Sequence, residues 1–178
     1  MNQHQINPIK NKEQLFKVVK RIHLDCYNLC EQVIGKYLSN SGNMGVFCHD
    51  SNEYELLTKA RQELTHPSDD PNQKYYLLKE PIVIPSHGEV PKATYTHLYI
   101  RKPDPTPYGQ YLGDVDFVME LDEYAKLKNS ILSEKEIEGI QIYNRPGWDT
   151  IQITDPQINS VAYISTMSMA VKARIKFD

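Results

Sequence analysis

The stretch YTHLYIRKPDPTPYGQYLGDVDF, from Tyr95 to Phe117, decides the fold because it places two alternating segments around a proline-containing loop. Successive side chains of a β-strand point to opposite faces of the sheet. Leu98 and Ile100 therefore share the apolar face of the first segment, as Val115 and Phe117 do in the second. We expect the two strands to pair as a hairpin over one core, with their polar faces side by side.

The polar faces of these two strands form the candidate site. Their polar residues are Tyr95, His97, Tyr99 and Arg101 on the first strand and Asp114 and Asp116 on the second. We expect Arg101 to anchor an anionic ligand, because a guanidinium pairs well with carboxylate or phosphate. His97 is expected to transfer protons as a catalytic residue, oriented by Asp114 or Asp116. Tyr95 and Tyr99 are expected to bind the ligand.

Two other interpretations fit the same residues. A one-sided antiparallel sheet also shows an alternating polar face to solvent, with cross-strand charge pairs worth roughly a few tenths of a kcal/mol. Alternatively, His97, Asp114, Asp116 and Glu120 are ligand types suited to Mn, Fe or Zn. Their spacing matches no compact metal motif, so we predict no metal site and leave the cofactor unknown.

The remaining pattern from Ala93 onward predicts a mainly antiparallel sheet. Period-two alternation predicts strands at 93–102, 113–121, 139–144, 149–154 and 160–165. One helix, Glu123 to Leu132, is expected between them with Asp122 as its cap. Pro146 and Gly147 predict a type II turn, so 139–154 should form a hairpin. The strand-helix-strand-strand-strand order from 93 to 165 resembles the half-module of glyoxalase-type metalloenzymes, but no motif accompanies it and we assign no family.

The first part of the chain predicts helices around one strand. Helical spacing and a capping box at Asn11 and Gln14 predict a helix over 12–38. The turn-forming residues 39–43 should end it before a short strand, Met44 to His49. Asp50 and Glu53 form a second capping box, which predicts the next helix. Residues 75–85 then look extended, and Pro81 confines that strand to an edge or a break.

Together these patterns predict an α+β fold with a long N-terminal helix and a strand-helix unit packed on a mainly antiparallel sheet. We expect one domain over 1–178, with a flexible leader at 1–11 and a helical part at 12–66. The sheet should occupy 75–178 with one helix near 122–132. The end of the chain, 167–177, alternates as a strand would, although helical spacing of its apolar residues is also present.

Cysteine and histidine residues offer two weaker candidates. Cys48 and His49 lie between a strand and a helix N-terminus, but adjacent strand residues point to opposite faces, which argues against a catalytic dyad. Cys26 and Cys30 are four residues apart in the apolar stripe of the first helix, which favours core packing.

Composition limits the partners. The chain of 178 residues has 20 Lys and Arg against 23 Asp and Glu, a net charge of -3, which argues against nucleic-acid binding. Three cysteines argue against a disulfide framework, and no apolar stretch would span a bilayer or serve as a signal peptide. We therefore expect a cytoplasmic protein without a membrane partner.

Two functions fit these observations. The favoured function is to bind a small polar anionic molecule on the face built from residues 95–120 and to transform it by general acid/base chemistry. The alternative is a non-enzymatic interaction or structural protein. It would use a Tyr-rich sheet surface or the C-terminal strand for homodimer or heteromer association.

Overall fold

The computed structural model describes residues 7–103, 105–106, 110–133, 138–145 and 147–172. These parts of the chain form an α+β fold with four helices and seven strands. The helices are α1 (Lys12–Ile34), α2 (Ser51–Leu64), α3 (Leu121–Ser133) and α4 (Met167–Lys172). The strands are β1 (Ser39–Phe47), β2 (Tyr76–Ile84), β3 (Ala93–Arg101), β4 (Gly113–Val118), β5 (Ile140–Arg145), β6 (Trp148–Ile153) and β7 (Ser160–Ser165).

The strands form one mixed sheet in the order β2-β3-β1-β4-β7-β6-β5. β1 runs parallel to β3 and β4 runs parallel to β7, whereas the other neighbours are antiparallel. The expected hairpin between β3 and β4 is wrong, because β1 lies between them. Amphipathic alternation tells which face of a strand meets the core but not which strand is its neighbour. β1 carries the same apolar alternation in Met44 and Val46, and it takes the place beside β4.

The sheet consists of two similar halves. In the first, β1 leads through α2 to β2 and β3, and β3 returns parallel to β1. In the second, β4 leads through α3 to β5, β6 and β7, and β7 returns parallel to β4. Parallel strands need such helical crossovers. The halves meet where β1 and β4 pair antiparallel, so residues of both first strands line the centre of the sheet.

The first helix and strand differ from their predicted bounds. α1 begins as predicted, with the Asn11 side chain accepting a hydrogen bond from the Gln14 amide at 2.9 Å. It ends at Ile34 rather than 38, because Gly35 takes the left-handed conformation, φ 73°, that commonly ends helices. Residues 39–43, predicted to form a turn, instead begin β1, and its pairing with β4 shifts register between Asn40 and Met44. The side chains that favour a turn are therefore accommodated in an irregular part of the strand.

Later elements follow the predictions with one correction. The hairpin of β5 and β6 is confirmed, and Gly147 has the positive φ of 80° that a type II turn needs, although Pro146 lies outside the described residues. α3 begins at Leu121, so Asp122 lies in its first turn and not at its cap. For 167–177, where the sequence fits both a strand and a helix, the structure has a helix over Met167–Lys172, and the rest of that segment lies outside the described residues. β2 is an edge strand as expected, and Pro81 falls in its register break.

The helices and the candidate site lie on opposite faces of the sheet. Cross-strand partners point to the same face of the sheet. One row of such partners runs across β3, β1, β4 and β7 and consists of Leu98, Met44, Val115 and Ala162. All four are buried in the core, which α1 covers through residues such as Ile22 and Tyr27. The other face therefore carries Asp114 and Asp116. Among the described helices, none is long and apolar enough to cross a membrane.

Candidate functional site

Two buried aspartates on β4 form the centre of the candidate site. Asp114 and Asp116 are each only 8% exposed. They alternate with Val115 and Phe117, which are fully buried, and Phe117 packs edge-on against Tyr27 of α1 at 4.9 Å between ring centroids. Alternation thus directs the apolar side chains to the helix layer and both carboxyl groups to the opposite face.

Asp114 lies against the backbone of β1. Gly45 of β1 pairs with Asp114 on one side and with Tyr99 of β3 on the other. A Cβ atom at Gly45 would collide with Oδ1 of Asp114, so the missing side chain leaves the space that this carboxyl group occupies. Oδ1 is buried and, among the residues that the structure describes, has no hydrogen-bond partner.

Asp116 has polar neighbours from two other parts of the chain. The Tyr75 hydroxyl, just before β2, donates a hydrogen bond to Oδ2 of Asp116 at 3.2 Å. The Tyr75 ring also packs on Tyr99, with 5.4 Å between centroids. Asn43 of β1 is fully buried, and its Oδ1 accepts a hydrogen bond from Ser41. The Asn43 side chain also lies within hydrogen-bonding reach of the Asp116 carboxyl group and favours its charged form.

Both carboxyl groups hold their protons unusually tightly. Burial raises the pKa of Asp114 to about 8, the negative charge of Asp116 contributes to the rise, and Arg101 opposes it. Burial also raises the pKa of Asp116 to about 6, while Tyr75 and Asn43 act in the opposite direction. Because these two groups repel each other when both are ionised, their titrations belong to the pair. Near neutral pH the pair therefore carries about one proton.

A cation and aromatic side chains surround the acid pair. The Arg101 guanidinium lies 4.8 Å from the ring centroid of Phe47 and acts electrostatically on both Asp114 and Tyr163. Tyr163 of β7 is the cross-strand partner of Asp116, and its hydroxyl donates to Gln152 at 3.2 Å. Tyr99, Arg101 and Tyr163 are partly exposed, so they form the accessible border of a buried carboxyl pair.

The structure brings most of the predicted site residues to one region. Tyr99 and Arg101 lie near the aspartates, although β1 separates their strands. His97 is buried, pairs in register with Asn43, and has its Nδ1 2.9 Å from the Thr96 hydroxyl. His97 is thus the cross-strand neighbour of Asn43, which in turn lies beside Asp116.

The position of Tyr95 corrects the sequence prediction. Its hydroxyl lies 2.8 Å from Nδ1 of His23 in α1, and the side chain is buried in the helix-facing core. Opposite Tyr95 and His97 the pairing of β2 with β3 is irregular, because the register shifts between Leu77 and Ile82 of β2. Tyr95 is therefore not part of the polar face.

Four residues of the site could not be found by inspecting 95–120. Asn43 and Gly45 come from β1, Tyr75 precedes β2, and Tyr163 comes from β7. No motif links these residues in the sequence. Only the strand order brings them beside the acid pair.

The metal alternative finds no support in the described residues. Across the parts of the chain that the structure describes, no group of three or more His, Cys, Asp or Glu side chains could hold a metal ion. Glu120, the fourth ligand considered, is exposed.

The contacts of the three cysteines and of His49 indicate structural roles. All three cysteines are buried free thiols, and burial raises the pKa of Cys48 to about 12, which keeps it protonated and unreactive. His49 contacts Glu53 rather than Cys48. Its Nδ1 lies 3.1 Å from Oε2 of Glu53, and its Nε2 lies 3.2 Å from the Tyr111 carbonyl. Because both ring nitrogens face acceptors, these contacts favour the charged form of the imidazole.

Glu53 joins three segments at the start of α2. Its carboxylate accepts hydrogen bonds from the backbone amides of Ile9 and His49, each at 2.7 Å. Burial alone would raise the pKa of Glu53, but the His49 ring and these amides outweigh it and lower the pKa. Hydrogen bonding to Glu53 raises the pKa of His49. The pair's contribution to stability is therefore lost as pH falls through the lowered pKa of Glu53 or rises through the raised pKa of His49.

We expect Glu53→Ala to lower the free energy of unfolding at pH 6 by about 2 kcal/mol, because one buried amide, one partly buried amide and the His49 imidazole lose their acceptor. Urea denaturation measures the change. Glu55→Ala, at an exposed position of the same helix, is the control and should change stability by less than about 0.5 kcal/mol. Equal effects of the two substitutions would contradict this role of Glu53.

Comparisons with known proteins identify no family. No family model and no curated protein matches the sequence. Among solved structures, the chain is similar to a variant of Streptomyces coelicolor methylmalonyl-CoA epimerase in complex with 2-nitronate-propionyl-CoA. Identity is 14%, the match covers 72% of this chain and 98% of that chain, and the TM-score is 0.32. A second variant of that epimerase matches with 12% identity, the same coverage and a TM-score of 0.31. Likeness at this level carries no argument about function.

Proposed function

We propose that the polar face of β3, β1 and β4 binds a small anionic molecule and transfers a proton to or from it. The observation that carries this proposal is the pair of buried aspartates with raised pKa values beside Arg101. Perturbed carboxyl pairs are common at functional sites, because an acid and a base are both available near neutral pH.

Arg101 supplies the attraction for the anion. Its guanidinium is permanently charged and offers several donors for a carboxylate or phosphate. The Phe47 ring against which it lies limits its motion on one side. Tyr99 and Tyr163, partly exposed beside it, can donate hydrogen bonds or pack against the flat part of a ligand.

The two aspartates can act as an acid and a base. At neutral pH Asp116 is the more ionised of the two and can accept a proton from the ligand. Asp114 is the more protonated and can donate one. This assignment moves proton transfer from His97, the first sequence candidate, to the aspartates. His97 in the neighbouring row is then a second candidate for the same step.

Binding of small anions to matched variants tests this function. Calorimetry with acetate, lactate, pyruvate, malonate, succinate and inorganic phosphate is the measurement. Arg101→Gln should weaken binding of the best anion at least tenfold, because a charge-assisted hydrogen bond is worth roughly 1.5–3 kcal/mol. Lys102→Gln removes the adjacent charge and is the control. No binding to the native protein, or equal losses in both variants, would contradict the proposal.

A test of turnover separates the two proton-transfer candidates. Hydrogen exchange from the C–H bonds of a bound carboxylate into deuterated water can be followed by NMR. Asp116→Asn should abolish this exchange and His97→Gln should leave most of it. The opposite pattern would return the role of base to His97.

A further inference from the structure

A cavity of about 540 Å³ lies at the end of the sheet where β1 begins. Its walls come from the second half of α1 and the loop after it, the start of β1, the start of β3 with the residues just before it, and Met167 of α4. It shares no lining residue with the polar face around Asp114 and Arg101. We propose that this cavity is a second binding site, which takes a small phosphate monoester with an aromatic body.

The wall of the cavity is held in shape by hydrogen bonds at the irregular start of β1. The Asn40 side chain donates to the Tyr27 hydroxyl at 3.0 Å and accepts from the Gly42 backbone amide at 2.7 Å. The Thr96 hydroxyl donates to the Gly42 carbonyl at 3.2 Å. Because these groups hold one another, the wall is formed without a ligand, and binding need not order it.

Three other polar side chains line the cavity and have no partner in the part of the chain that the structure describes. They are the ammonium group of Lys92 and the hydroxyl groups of Ser39 and Thr94, all at exposed positions. All of them can donate hydrogen bonds, and a phosphate group has several oxygens that accept them. Lysine binds phosphate as a point charge, whereas a carboxylate is better matched by the planar fork of an arginine. The lining therefore favours phosphate over carboxylate.

The charges around the cavity place the anion at its Lys92 end. Among the described residues that line it, none is Asp or Glu, and Lys92 is the one charged side chain. Burial, and then the negative charges of Glu31 and Glu89, raise the pKa of Tyr37, which also lines the cavity. Glu89 itself lines a neighbouring cavity that shares Tyr37 with the first. The anion of the ligand therefore belongs at Lys92, and its uncharged body belongs at Tyr37.

Tyr37 provides a surface for the aromatic body of the ligand. Its ring is half-buried and lies 6.2 Å from the Tyr27 ring between centroids, and Tyr27 packs in turn on Phe117 at 4.9 Å. A partly exposed ring with packed rings behind it has a fixed position on which a flat ligand can stack. Pro91 and Met167, whose side chain is 51% exposed, add apolar surface. The volume also lies within the range of roughly 300–1,000 Å³ of small-molecule sites.

Calorimetry with phenyl phosphate, inorganic phosphate and benzyl alcohol tests both ends of the cavity. We expect phenyl phosphate to bind more tightly than the other two probes, because only phenyl phosphate reaches both Lys92 and Tyr37. Lys92→Gln should weaken its binding about tenfold, since a charge-assisted hydrogen bond is lost. Thr94→Val, which keeps the shape of the side chain, should weaken it about threefold. Lys59→Gln, at an exposed position of α2 outside the cavity, is the control and should leave binding unchanged.

The location of the bound probe is measured by ¹H–¹⁵N NMR. Titration with phenyl phosphate should shift the amide signals of Ser39, Lys92 and Thr94. Absence of binding, or equal losses in Lys92→Gln and Lys59→Gln, would overturn the proposal. Equal affinity for phenyl phosphate and inorganic phosphate would also overturn it, because the aromatic body would then make no contact. A loss of binding in Arg101→Gln without a loss in Lys92→Gln would place the phosphate beside the acid pair instead.

Discussion

Replacing Asp114 by Asn is expected to stabilise the protein at pH 9 by about 3 kcal/mol and to have little effect at pH 4. The pKa of Asp114 in the folded chain is raised, so folding favours the protonated form. The stabilising contribution is complete below the unfolded pKa and is lost as pH rises through the folded pKa. A tenfold difference in proton affinity between the folded and unfolded chains corresponds to about 1.4 kcal/mol of stability. Relaxation of the protein around the charged group makes the measured change in stability smaller than the full pKa shift would give.

Urea denaturation across this pH range measures the effect, and Asp149→Asn provides a control of opposite sign. Asp149 accepts a hydrogen bond from the Tyr124 hydroxyl and pairs with Lys128. Burial alone would raise its pKa, but these partners lower it. Its stabilising contribution is present above the unfolded pKa and is lost at low pH. Asp149→Asn should therefore destabilise at neutral pH. Native-like pH dependence in Asp114→Asn would show that Asp114 is not the group responsible.

Gly45→Ala should destabilise the protein by about 2 kcal/mol and greatly weaken anion binding. A Cβ atom at this position would collide with Oδ1 of Asp114, so the carboxyl group must leave its place. The backbone at Gly45 has no positive φ, so alanine meets no conformational strain there. The cost thus comes mainly from the contact with Asp114, and a smaller part comes from the Phe47 ring, which would lie 3.3 Å from the added Cβ atom.

A double-mutant cycle isolates that contact. When Asp114 is first changed to Ala, adding Gly45→Ala should cost less than about 0.5 kcal/mol, since the colliding oxygen is gone. Denaturation of the two single variants and the double variant measures the coupling. Additive costs would mean that Gly45 is required for another reason, such as the close packing of the sheet.

Sequence patterns predicted the faces of the strands better than their neighbours. The alternation of Leu98 and Ile100, and of Val115 and Phe117, correctly separated the core from the polar face, since that separation depends only on local geometry. The helix N-caps predicted at Asn11 and Asp50 were confirmed for the same reason. Strand order depends on long-range competition, which alternation cannot resolve.

Irregular strand segments account for the other differences between the sequence predictions and the structure. Residues 39–43 resemble a turn because their side chains favour turn conformations, yet the neighbouring strands hold them as the bulged start of β1. Tyr95 faces the helix layer and not the polar face, at the point where the pairing of β2 with β3 is irregular. Asn43, Gly45 and Tyr75 joined the site only once the fold was known.

The titration of Asp114 and Asp116 tests the central claim most directly. Carboxyl carbon chemical shifts of ¹³C-labelled aspartate can be followed by NMR from pH 3 to pH 10, with Asp114→Asn and Asp116→Asn identifying the two signals. We predict that both signals titrate above the ordinary range of aspartate and that the later step, near or above neutral pH, belongs mainly to Asp114. Titration of both carboxyl groups below pH 5 would contradict a proton-sharing pair and the function proposed from it.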